Sequence, residues 1–91
     1  MAKKKIGAIQ IGKAYLFRTV THYHVGRVKE ILPDCYVLTD AAWVADTGRF
    51  NAALLSKKFS EVEPFPDGCI LFRGGLIDAT PWDGELPLKV L

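Results

Sequence analysis

Long apolar runs are missing from this chain. The longest is Ala41–Ala45, whereas a bilayer-spanning helix needs ~18 consecutive apolar residues. No spanning helix and no membrane partner are expected. The basic start Met1-Ala2-Lys3-Lys4-Lys5 is not followed by an apolar stretch, so no secretory signal is expected and the expected location is the cytoplasm. Cysteine is scarce as well. Cys35 and Cys69 form neither a CxxC pair nor a Cys/His cluster, which excludes a disulfide framework and a zinc knuckle. Each falls in a strand-like run and reads as a buried thiol acting as a small hydrophobe. The two histidines, His22 and His24, would share one strand face, but without a third ligand they make an incomplete metal site. No metal and no cofactor are expected.

Catalytic patterns are lacking too. Ser56 and Ser60 have no nucleophile-elbow context, and Gly74-Gly75 is a turn rather than a phosphate cradle. Asp78, Asp83 and Glu85 lie in a loop-rich tail with no partner base. The chain is not expected to be an enzyme.

What is present describes one folded domain. The 91 residues are 49% apolar and 24% charged, ordinary for a globular fold. A chain of this size buries roughly 60–65% of its unfolded surface, so oligomerisation is a natural supplement to its core. The net charge of +2 is unevenly spread. Residues 1–30 hold seven Lys/Arg against Glu30 alone, net +6; residues 31–91 hold five against nine acids, net −4. A basic first third suits nucleic acid or a phosphorylated ligand.

From Ala14 the pattern is that of strands. Tyr15, Phe17, Thr19 and Thr21 alternate with Leu16, Arg18 and Val20. A second run, Tyr23 to Leu32, carries Gly26 in its middle, the mark of a bulge, a bend or a close backbone approach. Pro33-Asp34 predicts the turn of a hairpin with Cys35–Thr39, whose strand continues, bent, through Ala45. Asp46 or Thr47 is a candidate N-cap for a two-turn helix over Arg49–Ser56. Pro64 and Pro66 predict a loop, Gly68–Arg73 and Leu76–Thr80 two last strands, and Pro81–Pro87 an irregular tail that docks through Trp82. Residues 1–13 read as a flexible basic tail and 14–91 as one domain, with 46–66 as an insertion holding the helix. The fold class expected is all-β with one short helix: a strongly bent, five-stranded small barrel, of SH3-like, Sm-like or OB type.

The segment Ile70-Leu71-Phe72-Arg73-Gly74-Gly75-Leu76-Ile77 resembles the second motif of the Sm/LSm family, an apolar run, Arg-Gly and an apolar strand start. Gly26-Arg27-Val28-Lys29-Glu30-Ile31, continued by Val37 to Ala41, resembles the first. The chain is also similar to small Sm-like proteins of bacteriophage origin, and to phage proteins with a stretch like Trp43–Phe50. Residues 32–36 lack the loop asparagine of the family's base pocket, and Gly75 stands where a polar residue is usual. The resemblance implies an Sm-like barrel more strongly than a uridine pocket.

It also implies a homo-oligomeric ring, roughly five to seven subunits, closed by strand pairing between neighbours. Ile70, Phe72, Leu76 and Ile77 would supply that interface, with Trp43 and Trp82 divided between subunit packing and the monomer core. Arg73 matches the family's RNA-contacting arginine, a fork that stacks on a base and grips phosphate. His22, Tyr23, His24, Arg27, Lys29 and Tyr36 form the aromatic-basic set expected to join it on RNA. Two function classes stand open: an RNA-binding ring, phage-encoded and acting in the host cytoplasm, or a virion or protein-interaction module anchored by Trp43, Phe50 and Trp82. A binder of nucleotide ligands between subunits is a third.

Overall fold

The computed structural model describes residues 8–89. The expected lysines 3–5 of the tail lie outside the described residues. Six strands and one short helix follow in order: β1 Ala14–Thr19, β2 Tyr23–Ile31, β3 Cys35–Asp46, α1 Phe50–Ser56, β4 Glu61–Pro64, β5 Cys69–Phe72 and β6 Leu76–Pro81, with a 3-10 turn over Arg73–Gly75 joining the last two. The class is all-β with one short helix. The strand count of five was one too few, because the 46–66 segment contains β4 as well as the helix. Glu61-Val62-Glu63-Pro64 hides its strand character: three of its four residues are charged or proline, and only Val62 is buried.

All pairings are antiparallel and run β4-β3-β2-β1-β6, with β5 also on β3. The two strands on the outer edge of β3 take successive halves of it. β5 pairs with Cys35–Leu38, and β4 with Ala42–Asp46. Between these halves Asp40 takes a φ of 50°, and across from it the β2–β3 register shifts between Val25 and Arg27. Gly26 sits in that shift because β3 passes so close that a Cβ would stand 3.0 Å from the Ala41 Cβ. The hairpin turn is closed as expected, Leu32 N donating to Cys35 O at 2.9 Å.

The sheet is not closed, and its core is divided between two faces. Ala14 and Leu16 of β1 join Val25, Ala42, Val44, Val62 and Trp82 on one side. Tyr15 and Phe17, the alternate residues, join Val28, Leu38, Ala41 and Leu71 on the other. β1 is therefore apolar on both faces, which explains its short, nearly unbroken apolar run. Leu54 of α1 and the tail, with Phe59 and Leu86, cover the first face. Trp82 is 3% exposed there, stacks on Phe59 at 4.7 Å, and donates from Nε1 to Glu85 O at 3.3 Å. Its use as a subunit anchor gives way to use in the chain's own core.

Helix α1 lies one residue inside its expected start. Its N-cap is Arg49, with no side-chain cap, while Asp46 Oδ1 accepts from Gly48 N at 2.7 Å and so closes the preceding turn instead. Residues ahead of β1 are tied down in part: Gly12 N donates to Val28 O at 2.8 Å, and Val28 N to Lys13 O at 2.9 Å.

Candidate functional site

Cross-strand register places one row of side chains across the sheet. Ala79 of β6 faces Phe17, Phe17 faces His24, His24 faces Trp43, and Trp43 faces Glu63. Directly opposed residues share a face, with Cβ atoms about 4.5–5.5 Å apart. Phe17 is sealed in the second core; beyond it the row runs into the open as a groove of about 410 Å³ lined by His22, His24, Trp43, Glu63, Pro64 and Phe65. The His22 ring tilts against Trp43 at 5.3 Å, and the His24 ring stacks on Phe65 at 6.0 Å. Thr21 Oγ1 lies 2.6 Å from His22 Nδ1.

The electrostatics of the groove follow from its lining. His24 Nδ1 is buried and has no hydrogen-bond partner. A proton there would be stranded, so burial first, and the neighbouring His22 second, hold the imidazole below its ordinary range. Glu63 is exposed and makes no ion pair among the described residues, where the pairs are Arg18–Asp78 and Lys57–Asp83. The groove thus offers aromatic faces, a neutral imidazole and one free carboxylate, and among the described residues no Lys or Arg lines it.

A second cluster sits at the far end of the β2–β3 hairpin. The Arg73 guanidinium lies over the Tyr36 ring at 4.5 Å, and Tyr36 in turn stacks on Phe17 at 5.8 Å. The backbone holds this arrangement: Arg73 N donates to Asp34 O at 2.9 Å, pinning the 3-10 turn to the hairpin tip. Tyr36 and Trp43 are seven positions apart on β3, roughly 20 Å of strand.

The expected aromatic-basic set is accordingly distributed over several places. Arg73 and Tyr36 meet, and His22 and His24 meet with Trp43. Tyr23, adjacent to His24 and so on the opposite face, packs on the first core with its ring 5.6 Å from Phe50. Arg27 donates from its guanidinium to Gly12 O at 2.9 Å, and Lys29 is exposed at the second register shift of β2. Glu63 and Phe65 were missed as groove residues because a proline-flanked segment reads as a loop, and only strand pairing brings them to Trp43.

The expected interface residues divide by alternation. Ile70 at 58%, Phe72 at 63% and Ile77 at 55% exposure face outward, while Leu76 packs on the second core. Among the described residues β5 is paired only to β3, and β6 only to β1, so each keeps one edge unpaired there. Both thiols are free. Burial and then Asp34 push the Cys35 thiol up, and burial does the same to Cys69, which suits inert side chains. Among the described residues no group of three or more His, Cys, Asp or Glu could hold a metal ion. No helix there is long and apolar enough to cross a membrane. No protein-family model, curated protein or solved structure matches the chain.

Proposed function

We propose that the chain is a subunit of an Sm-like homo-oligomeric ring that binds single-stranded RNA. The observation that carries the reading is Arg73 lying over Tyr36 at the turn between β5 and β6. A stacked guanidinium keeps its outer face and its N–H donors for a base or phosphate. The turn joins two strands with unpaired edges and exposed apolar side chains, and pairing β5 of one copy with β6 of the next would cover both. The bend at Gly26 and the strand order β6-β1-β2-β3-β5 also suit an Sm-like barrel, completed by a neighbour rather than within one chain.

The test is fluorescence anisotropy with short U-rich, A-rich and mixed RNAs at two salt concentrations. The protein carries Lys3, Lys4 and Lys5 changed to Gln, so that tail attraction cannot imitate a site. Binding should weaken with salt, each phosphate contact contributing ~0.7 to the log–log slope. Arg73→Ala should cost about 1–3 kcal/mol if the guanidinium stacks on a base. Absence of binding at low salt sinks the RNA reading and leaves the protein-interaction module, a reading favoured by the aromatic, carboxylate-bearing groove at the other end of β3.

A further inference from the structure

We infer that the groove at Trp43 is a docking site for an arginine side chain presented by a partner protein. The inference goes beyond the ring reading and stands without it. Its basis is charge complementarity in a site with one free anion and aromatic walls. Trp43 and Glu63 are directly opposed across β3 and β4, so a flat cation lying on the indole has a carboxylate beside it. A guanidinium fits both demands at once: it stacks face to face on an aromatic ring, and its planar fork donates two parallel hydrogen bonds to a carboxylate.

The surroundings select against the other occupants. A nucleobase carries phosphates with it, and among the described residues no Lys or Arg lines the groove to meet them. Glu61, two residues before Glu63 on the same face of β4, adds a second carboxylate nearby. A plain hydrocarbon side chain would leave Glu63 without a partner while covering it, at the cost of burying an unpaired charge. His24 does not oppose a cation at neutral pH, because its buried, partnerless Nδ1 keeps the ring uncharged. Its ring, fixed against Phe65 at 6.0 Å, forms one side of the groove, while the His22 ring tilts against Trp43 at 5.3 Å. The shallow, open shape suits an extended segment laying one side chain into the groove better than a free small molecule, which needs most of its surface enclosed.

The experiment is a nitrogen-15 NMR titration of the full chain with the peptide acetyl-Gly-Arg-Gly-amide. Parallel titrations use the same peptide with citrulline, which keeps the shape and removes the charge, and a U-rich hexaribonucleotide. Saturable shifts of the Trp43 indole N–H and the His24, Glu63 and Phe65 amides are expected with arginine only. Glu63→Gln, at an exposed position of an edge strand, should keep the fold and weaken binding roughly tenfold or more. Equal binding of the citrulline peptide, or unchanged affinity in E63Q, overturns the proposal. So does RNA moving these resonances where the arginine peptide does not. Binding that appears only after Lys3, Lys4 and Lys5 are changed to Gln would give the groove to the chain's own basic segment, and the partner reading would fall.

Discussion

Gly26 and Ala41 are in contact across the bend of the β2–β3 hairpin, so closely that a side chain on the glycine has nowhere to go. A Cβ would meet the Ala41 Cβ at 3.0 Å, its Cα at 3.2 Å and the Leu38 Cβ at 3.3 Å. The requirement is one of space, since Gly26 does not have a positive φ. Gly26→Ala should therefore cost about 1–3 kcal/mol, the usual range for overpacking, and Gly26→Val more. Ala41→Gly in the G26A background should recover part of the loss, because it removes the nearest atom. Urea midpoints of the three variants are the measurement. Equal midpoints for wild type and G26A would mean that the hairpin does not bend here.

Gly68 provides the contrast. Its φ is +84°, and a Cβ would press on the carbonyl oxygen of Leu38, a backbone atom with no room to move aside. Gly68→Ala should cost more than Gly26→Ala, since backbone strain and collision act together. Gly74, with open space around it and no positive φ, should accept alanine within about 0.5 kcal/mol. The order G68A, G26A, G74A in falling cost is the expected result of one denaturation series.

These glycines also show how far the sequence could be read. Gly26 inside an alternating run announces a bend, and Pro33-Asp34 announces the turn, because both are local signals. Strand β4 does not announce itself. Glu61 and Glu63 make its outer face charged, Pro64 ends it, and its one buried residue, Val62, acquires meaning only when paired with Val44. The groove shares that difficulty: His22 and His24 stand out in the sequence, but Glu63 and Phe65 reach them through non-local pairing. Tyr23 reads as a surface residue, and Trp82 stays divided between interface and core, for a related reason. A chain with cores on two faces of one sheet has interior places for more aromatic rings than a single small barrel offers.

The two tryptophans should report this difference directly. Trp82 is sealed between Phe59 and the first core, whereas Trp43 lines an open groove. Acrylamide should quench the Trp43 fluorescence in a Trp82→Phe variant far more than the Trp82 fluorescence in a Trp43→Phe variant. Trp82→Ala should lower stability by about 3–5 kcal/mol, as for other large core truncations. Equal quenching of the two would place Trp82 at the surface and return it to the interface.

His24 sets a pH dependence whose sign follows from its buried Nδ1. The folded value lies below the ordinary 6.5, so above that pH neither state carries the proton and the contribution to stability is complete. Below about 6.5 the unfolded chain takes up a proton that the folded chain refuses, and stability falls until the folded value is reached. Urea midpoints should decline between pH 7 and 5.5, above the range where ordinary carboxylates titrate. His24→Gln should flatten that decline, whatever it does to the stability at pH 7. A slope unchanged in the variant would assign the proton uptake to a group other than His24.

Assembly is tested most directly at Phe72. Its side chain projects from β5 on the same outward face as Ile70, and the strand's unpaired edge lies beside it, so apolar contact and backbone pairing would be supplied by the same neighbour. A charge at this position should remove the contact without entering either core, because the residue is exposed in the single chain. Phe72→Asp should therefore give a folded monomer, with near-native circular dichroism, where the wild type gives a closed oligomer of roughly five to seven copies by light scattering. Leu71→Asp is the opposing control: Leu71 belongs to the second core, and an unpaired carboxylate there should unfold the chain. A wild-type protein that is monomeric at micromolar concentration would remove the ring. An F72D protein that stays oligomeric would keep the assembly but move its interface away from β5.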